Sequence, residues 1–385
     1  MQLSVIILNY NVSNFLEQCV LSVQAAIQNI DAEIIVIDNN STDNSCEMMR
    51  SRFPTVKLIA NNENLGFPKG NNIGVAHAKG DYLCILNPDT VVAEDTFIKV
   101  VAFAKSKQDI GIIGCKLIDG TGNFLPESKR GIPTPFVAFT KITGLYRIFP
   151  KSKFFGKYYA NHLTENQTGK VDILVGAFMV IKRDLYQEIG GFDENCFMYS
   201  DDIDLSYMVL QKGKSNYYFH ETTVIHYKGE STIKDGLYMK RFREAMHFFY
   251  KKHFQVSFLF DFFMKIGAFI FSIFKKSQAV TIPTKIDEYI LVTEEENLKI
   301  KVENLLGKKV HCLNSKTKNS IHSLTSKSDK NYQIIFDNNS LSFKSIIESM
   351  TAFKKENCTF KILPSNSNFI IGSNSSNDRG EVVNI

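Results

Sequence analysis

A chain of 385 residues, 44% hydrophobic and 22% charged, exceeds one average domain and has an ordinary globular composition, which excludes long-range disorder and a polytopic membrane protein. Forty-five Lys and Arg against 40 Asp and Glu leave +5, too weak a bias to indicate nucleic acid, and no nucleic-acid partner is expected. The seven cysteines are odd in number, scattered and never CxxC, so they encode neither a disulfide framework nor a zinc site and suit a reducing cytoplasm.

The opening MQLSVIILNYN lacks a basic stretch and a long apolar run before a cleavage site, so it reads as a buried strand rather than a signal peptide. Three apolar, β-branched runs, LSVIIL from Leu3, EIIVI from Glu33 and DYLCIL from Asp81, alternate with segments of helical period. Asn14 and Glu17 have capping-box spacing for a first helix, a second helix is expected after NNSTD near Ser41 and a third after Pro68, and a short strand VKLI ends at Ile59. The pattern predicts an open α/β sheet, in which ligands bind past the carboxyl ends of the strands. The residues there are Asn9 to Asn11, Asp38 to Ser41, Asn61 to Gly66 and Asn87 to Thr90.

From Phe242 to Phe274 the composition changes, with eleven phenylalanines in 33 residues, and residues 228–276 carry a net charge of +6. Phe258 to Phe274 has a wide apolar face and a narrow polar stripe, which predicts a helix lying in a membrane interface rather than a span. After a linker, YILV at Tyr289, a helix from Glu294 to Leu306 stopped by Gly307, KVHCL, QIIF, a helix from Ser342 to about Lys354 and FKIL make a second, smaller α/β pattern, with a loop from Ser315 to Asn331. ILVTEEENL has no glycine where a dinucleotide fingerprint needs three, so NAD is not expected. The expected division is 1–240, a basic Phe-rich segment 241–276, a linker 277–287 and a small α/β domain 288–385.

Several carboxylates stand where chemistry is expected. Asp38 follows a fully apolar strand and reads equally as a helix cap or a ligand contact. Asp89, after Asn87 and Pro88, reads as a turn or as a metal ligand at the same edge. Asp201, Asp202 and Asp204 crowd a helix start, where they serve the helix dipole or include a general base braced by its neighbours. His226 follows a short apolar run and is a core or surface histidine, or a metal or phosphate ligand.

Read in order, SVIILNYN, IVIDNNSTDNS, NENLGFPKGNN, GDYLCILNPDT, VDILVGAFMVIKRDLYQEIGGFDENCFMYSDDIDLSYM and IHYKGEST resemble the family 2 glycosyltransferases, most closely their rhamnosyltransferase-like bacterial branch, over about Leu3 to Thr232. The resemblance implies a GT-A fold ahead of the small Rossmann-like domain. It implies that Asp38 recognises the base or ribose of a nucleotide-sugar, enclosed by Asn9, Tyr10, Asn11, Asn64, Gly66 and Asn71. Asn87 stands at the first acid of the family's metal-binding DxD and Asp89 at the second. His226 matches a late metal and diphosphate ligand, and Asp202 the general base of a Glu-Asp pair whose first member is here Asp201. Gly176, Asp201 and Asp204 are assigned to acceptor or loop support.

The implied function is inverting, metal-dependent transfer, with Mg2+ or Mn2+, of a sugar from a dTDP-, UDP- or GDP-linked donor to a glycan or lipid-linked acceptor in cell-surface polysaccharide or glycolipid synthesis. The implied location is cytoplasmic, with peripheral contact at the inner face of the plasma membrane. Two other readings compete: a catalytically silent nucleotide-sugar-binding scaffold, suggested by Asn87 and Asp201, and a nucleotidyltransferase, which would need a basic triphosphate loop near Asn9 to Asn14 that the sequence lacks.

Overall fold

The computed structural model of the chain describes residues 1–134, 136–137, 140, 145–148, 156–227, 236–254, 285–314, 330–354, 357–374 and 380–385. The expected interfacial helix from Phe258 to Phe274, most of the 277–287 linker and most of the Ser315–Asn331 loop lie outside them.

The apolar runs become β1 (Leu3–Asn9), β2 (Ala32–Asp38), β3 (Lys57–Ala60) and β4 (Tyr82–Leu86), joined in parallel by α1 (Ser13–Ala26), α2 (Ser45–Arg52) and α3 (Gly66–Ala76). Every residue of β1 is buried, as a strand covered on both faces requires. Its side chains alternate between two cores, Leu3, Val5 and Ile7 facing the layer with α1, and Ile6 and Leu8 facing the layer with Val75 of α3.

Local cap signals were partly overruled by longer-range partners. The expected capping box at Asn14 does not form: α1 starts at Ser13, whose N–H donates to Asp43 Oδ2 at 3.0 Å, while Glu17 turns to Arg52 and to the hydroxyl of Ser367 at 2.6 Å. The second helix begins at Ser45 rather than near Ser41, because the N–H groups of Ser41 and Thr42 are held by Asp38 Oδ2 at 2.8 Å and Asn11 Oδ1 at 2.7 Å. The third helix starts at Gly66, with Pro68 in its first turn, where a missing N–H costs nothing.

Beyond β4 come β5 (Thr90–Val91), α4 (Thr96–Lys105), β6 (Ile110–Ile118), β7 (Gly169–Val171), β8 (Phe178–Lys182), α5 (Arg183–Glu188), α6 (Asp201–Gln211), β9 (Ser215–His226) and α7 (Gly236–His253). The sheet runs β3-β2-β1-β4-β8-β6-β9-β5, with β7 also on β9. β8 is antiparallel to both β4 and β6, so the second half of the sheet is mixed. Two consequences place the candidate residues. In-register pairing sets Asn9 beside Asp38, and the antiparallel β5–β9 pair sets Thr90 opposite His226.

The C-terminal sheet contains β10 (Glu288–Val292), β11 (Val310–Leu313), β12 (Tyr332–Asp337), β13 (Cys358–Leu363), β14 (Phe369–Gly372) and β15 (Glu381–Asn384), in the order β11-β10-β12-β13-β14-β15, with α8 (Glu296–Leu306) and α9 (Phe343–Ala352). The first four strands in that order are parallel and the last two pair antiparallel. Gly307 ends α8 at φ +61°, a left-handed cap that glycine adopts freely. This sheet does not stand apart from the first: Phe343, Ile346 and Met350 of α9 share a core with Phe15, Ile225 and Tyr227. Glu94 fixes the contact, its two carboxylate oxygens accepting the N–H groups of Phe343 and Lys344 at 2.7 and 2.8 Å. A carboxylate thus neutralises the positive end of α9, and the helix start is filled by the N-terminal region itself.

Candidate active site

Three groups of side chains meet at the carboxyl ends of the first sheet. The first surrounds Asp38, which is 2% exposed. Asn9 Nδ2 donates to its Oδ1 at 2.8 Å and the Ser41 N–H to its Oδ2 at 2.8 Å. Asn11 and Asn40 adopt φ of +57° and +63°, a region Asn tolerates, and so turn the loops back over the strand ends. Asp38 therefore organises this edge, and each oxygen keeps a lone pair for a ligand. Tyr10 is 41% exposed beside it, and Asn39 links Asn61, Asn64 and the Gly66 carbonyl. Asn71 is buried within α3, donating to the Phe67 carbonyl at 2.9 Å, and its Oδ1 has no partner among the described residues.

The second group is Asn87, Asp89 and His226. His226 Nε2 lies 3.4 Å from Asp89 Oδ1 and 3.4 Å from Asn87 Nδ2. Asp89 is 1% exposed, yet among the described residues neither of its carboxylate oxygens has a hydrogen bond, and Asn87 Oδ1 and His226 Nδ1 are also buried without partners. Buried carboxylate oxygens are costly to leave unpaired. Oxygen donors with one imidazole suit a hard divalent cation, so the residues fit Mg2+ or Mn2+. Among the described residues no three His, Cys, Asp or Glu side chains converge as a complete metal cage, so ligand oxygens would have to finish such a shell.

The third group is the acidic start of α6. Asp202 Oδ2 takes an ion pair from Arg130 Nη2 at 2.5 Å and a hydrogen bond from the Gly176 N–H at 3.1 Å, while its Oδ1 has no partner among the described residues. Arg130 is held by mutual backbone bonds with Ile173, 2.9 Å each, and also donates to the Leu174 carbonyl at 3.1 Å. A Cβ at Gly176 would make only ordinary contacts, 3.4 Å to Asp202 Cβ and 3.5 Å to the Phe67 ring, so the position serves Asp202 through its backbone N–H rather than through the lack of a side chain. Asn87 donates its N–H to the Ala177 carbonyl at 3.1 Å, so two adjacent residues, Gly176 and Ala177, tie the Asp202 carboxylate to the Asn87 turn. Asp204 points the other way, receiving Lys252 Nζ at 2.8 Å and His253 Nε2 at 2.5 Å, which anchors α7.

Asp201 is 7% exposed, and burial together with the adjacent Asp202 carboxylate pushes its pKa up to about 7. An unfolded aspartate titrates near about 3.9, so the folded state binds the extra proton between about pH 4 and pH 7. Stability contributed by protonated Asp201 is complete below about pH 4 and lost as the pH rises through about 7. Asp201→Asn is therefore expected to raise Tm by a few degrees at pH 8 and to leave it nearly unchanged at pH 3.5, as read by thermal unfolding at both.

The structure brings together Asn9 with Asp38, Asp89 with His226 and Asn87, and Asp202 with Gly176. Arg130 was missed by the sequence reading. It lies in SKRGIP, a segment without periodicity, and only the bridge to Ile173 carries it to Asp202.

The open α/β sheet thus presents a carboxylate-organised edge, a buried Asp-His pair and a braced acidic helix start together. Residues 4–190 match the family described as glycosyl transferase family 2. Over 244 residues the chain is 25% identical to an N-acetylglucosaminyl-diphospho-decaprenol L-rhamnosyltransferase of Mycobacterium tuberculosis, covering 60% of this chain and 78% of that protein. It is 26% identical over 171 residues to rhamnosyltransferase WbbL of Escherichia coli K12, covering 42% of this chain and 61% of that one. A mannosyltransferase of Pyrobaculum calidifontis solved with GDP-Man and Mn2+ aligns with a TM-score of 0.47 and 16% identity, over 72% of this chain and 76% of that one. Residues 4–190, just under half of the chain, thus match a family 2 glycosyltransferase domain, and the chain is similar to rhamnosyltransferases over that domain.

Proposed function

We propose that the protein moves a sugar, with inversion, from a nucleoside diphosphate donor to a hydroxyl of a lipid-linked glycan, using Asp202 as general base. The observation that carries this reading is the asymmetry of the Asp202 carboxylate, with one oxygen fixed by Arg130 and Gly176 and the other open. Inversion by single displacement needs one base on the acceptor side, and a carboxylate with one immobilised oxygen can take the acceptor proton on the other without turning. Arg130 keeps that carboxylate oriented, as a buried cation paired at 2.5 Å does.

Asp38, Asn9 and the loop through Ser41 would hold the nucleoside, and Asn64 and Gly66 close its side. Asp89 and His226 would hold a divalent cation against the donor diphosphate, where it offsets the negative charge of the leaving group. The acceptor class is supported by the Mycobacterium relative, whose name specifies a diphospho-decaprenol acceptor, and dTDP-rhamnose leads the donors because the Mycobacterium and Escherichia relatives are rhamnosyltransferases.

A panel of dTDP-, UDP- and GDP-sugars with and without Mn2+ tests the reading. At least one should release nucleoside diphosphate in a metal-dependent way, whereas no release above a blank from any donor would mark a silent scaffold. No helix among the described residues is long and apolar enough to cross a membrane. Membrane contact is proposed through the Phe-rich basic segment, because anionic lipid contributes about 1 kcal/mol per nearby Lys or Arg. The protein should sediment with anionic liposomes at low salt and not with neutral ones; failure to sediment removes the membrane contact.

A further inference from the structure

We propose that Arg241, seated on the ring of Phe197, determines specificity for an acceptor that carries a phosphate or diphosphate beside its sugar. The inference rests on the glycosyltransferase reading and adds the feature of the acceptor that is recognised. Phe197 lies on the loop that leads into Asp201 and Asp202, and at 39% exposure it is one of the large apolar side chains left open to solvent. Its ring is fixed from the donor side. A Cβ at Gly66 would fall 2.8 Å from the ring and 2.7 Å from the Phe197 carbonyl, which accepts the Phe67 N–H at 3.0 Å. The ring therefore sits between the loop that closes the nucleotide pocket and the acidic start of α6.

Arg241 reaches the same ring from α7. Its guanidinium carbon is 4.6 Å from the ring centroid and Nη1 is 3.9 Å from the Met198 sulfur. The helix is not free to move away, because Lys252 is paired with Asp193 and Asp204 at 2.8 Å each and Phe249 and Tyr250 pack with Ile173 and Ile203. Arg130 and Lys252, the other cations against this acidic loop, are each neutralised by a carboxylate; Arg241 has no carboxylate partner among the described residues. The ring contact and the Nη1 bond to Met198 hold the guanidinium in place and leave its Nε and Nη2 N–H groups without a partner among the described residues, a pair of donors that can take phosphate oxygens two at a time. A neutral glycan would leave that charge unused. A phosphate ester next to the acceptor sugar would meet it on the approach to Asp202.

Farnesyl diphosphate, which carries the anion and no sugar, is the probe, titrated into the full chain with the donor site saturated by Mn2+ and dTDP, UDP or GDP; farnesol is the neutral control. Arg241→Gln should weaken farnesyl diphosphate binding about tenfold, Arg241→Lys should recover part of it, and farnesol binding and the KM for donor hydrolysis should stay within about twofold. Equal binding by wild type and Arg241→Gln, no detectable wild-type binding, or a raised donor KM would each overturn the assignment, the last by placing Arg241 on the donor diphosphate. If instead no donor is hydrolysed by the wild type, the glycosyltransferase reading itself fails, and the two failures are told apart.

Discussion

Asp202→Asn is expected to lower sugar transfer by about 100-fold or more while leaving donor affinity near wild type. Asn preserves the shape of the side chain and can still accept from the Gly176 N–H, so the loop should keep its form. What it loses is the open carboxylate oxygen that would accept the acceptor proton. The ion pair with Arg130 is also lost, and a buried guanidinium left with an amide destabilises the fold, so the variant should melt somewhat lower than wild type. Transfer rates measured with donor binding by calorimetry separate these effects. Near wild-type transfer would remove Asp202 as the base.

Asp89→Ala is expected to act on the donor rather than on the acceptor proton. Metal charge stabilisation amounts to several kcal/mol, so transfer should fall by about 100-fold or more, donor affinity should fall with it, and the residual rate should no longer respond to Mn2+. The substitution removes two buried oxygens that have no hydrogen bond among the described residues, so thermal stability should hold or rise. A rate that still climbs with Mn2+ would move the metal to other ligands. The contrast is diagnostic: Asp202→Asn spares donor binding, and Asp89→Ala does not.

The parallel strands were legible because their signal is local. Apart from Ser4 and the leading Glu33 and Asp81, LSVIIL, EIIVI and DYLCIL are apolar throughout, as strands covered on both faces must be, and the polar residues that follow them mark the ligand edge. Helix starts were less legible, since the groups that decide them come from elsewhere: Asp43 serves Ser13 across 30 residues, and Glu17 is taken up by Arg52 and Ser367. The meeting of Asp89 with His226 depends on a two-residue strand pairing with the end of β9, and no periodicity announces so short a strand. Arg130 was invisible for the same reason. Motif order in the resemblance supplied what spacing could not, because it links distant segments without requiring their contacts to be deduced.

The C-terminal strands β14 and β15 escaped the sequence reading as well. Phe369–Gly372 and Glu381–Asn384 are four residues each, and they pair antiparallel onto an otherwise parallel sheet. The contact of α9 with the first sheet was equally hidden. Its apolar face, Phe343, Ile346 and Met350, would read as the core face of a small free-standing domain, whereas the structure shares it with Phe15 and Tyr227.

The stereochemistry of transfer tests the central claim most directly. With the donor that releases nucleoside diphosphate and an acceptor that accumulates product, the anomeric configuration of the newly linked sugar is read by NMR from its one-bond C1–H1 coupling. A single displacement with Asp202 as the one base requires the configuration to be opposite to that in the donor. Retention of the donor configuration would contradict the assignment of one base and one displacement.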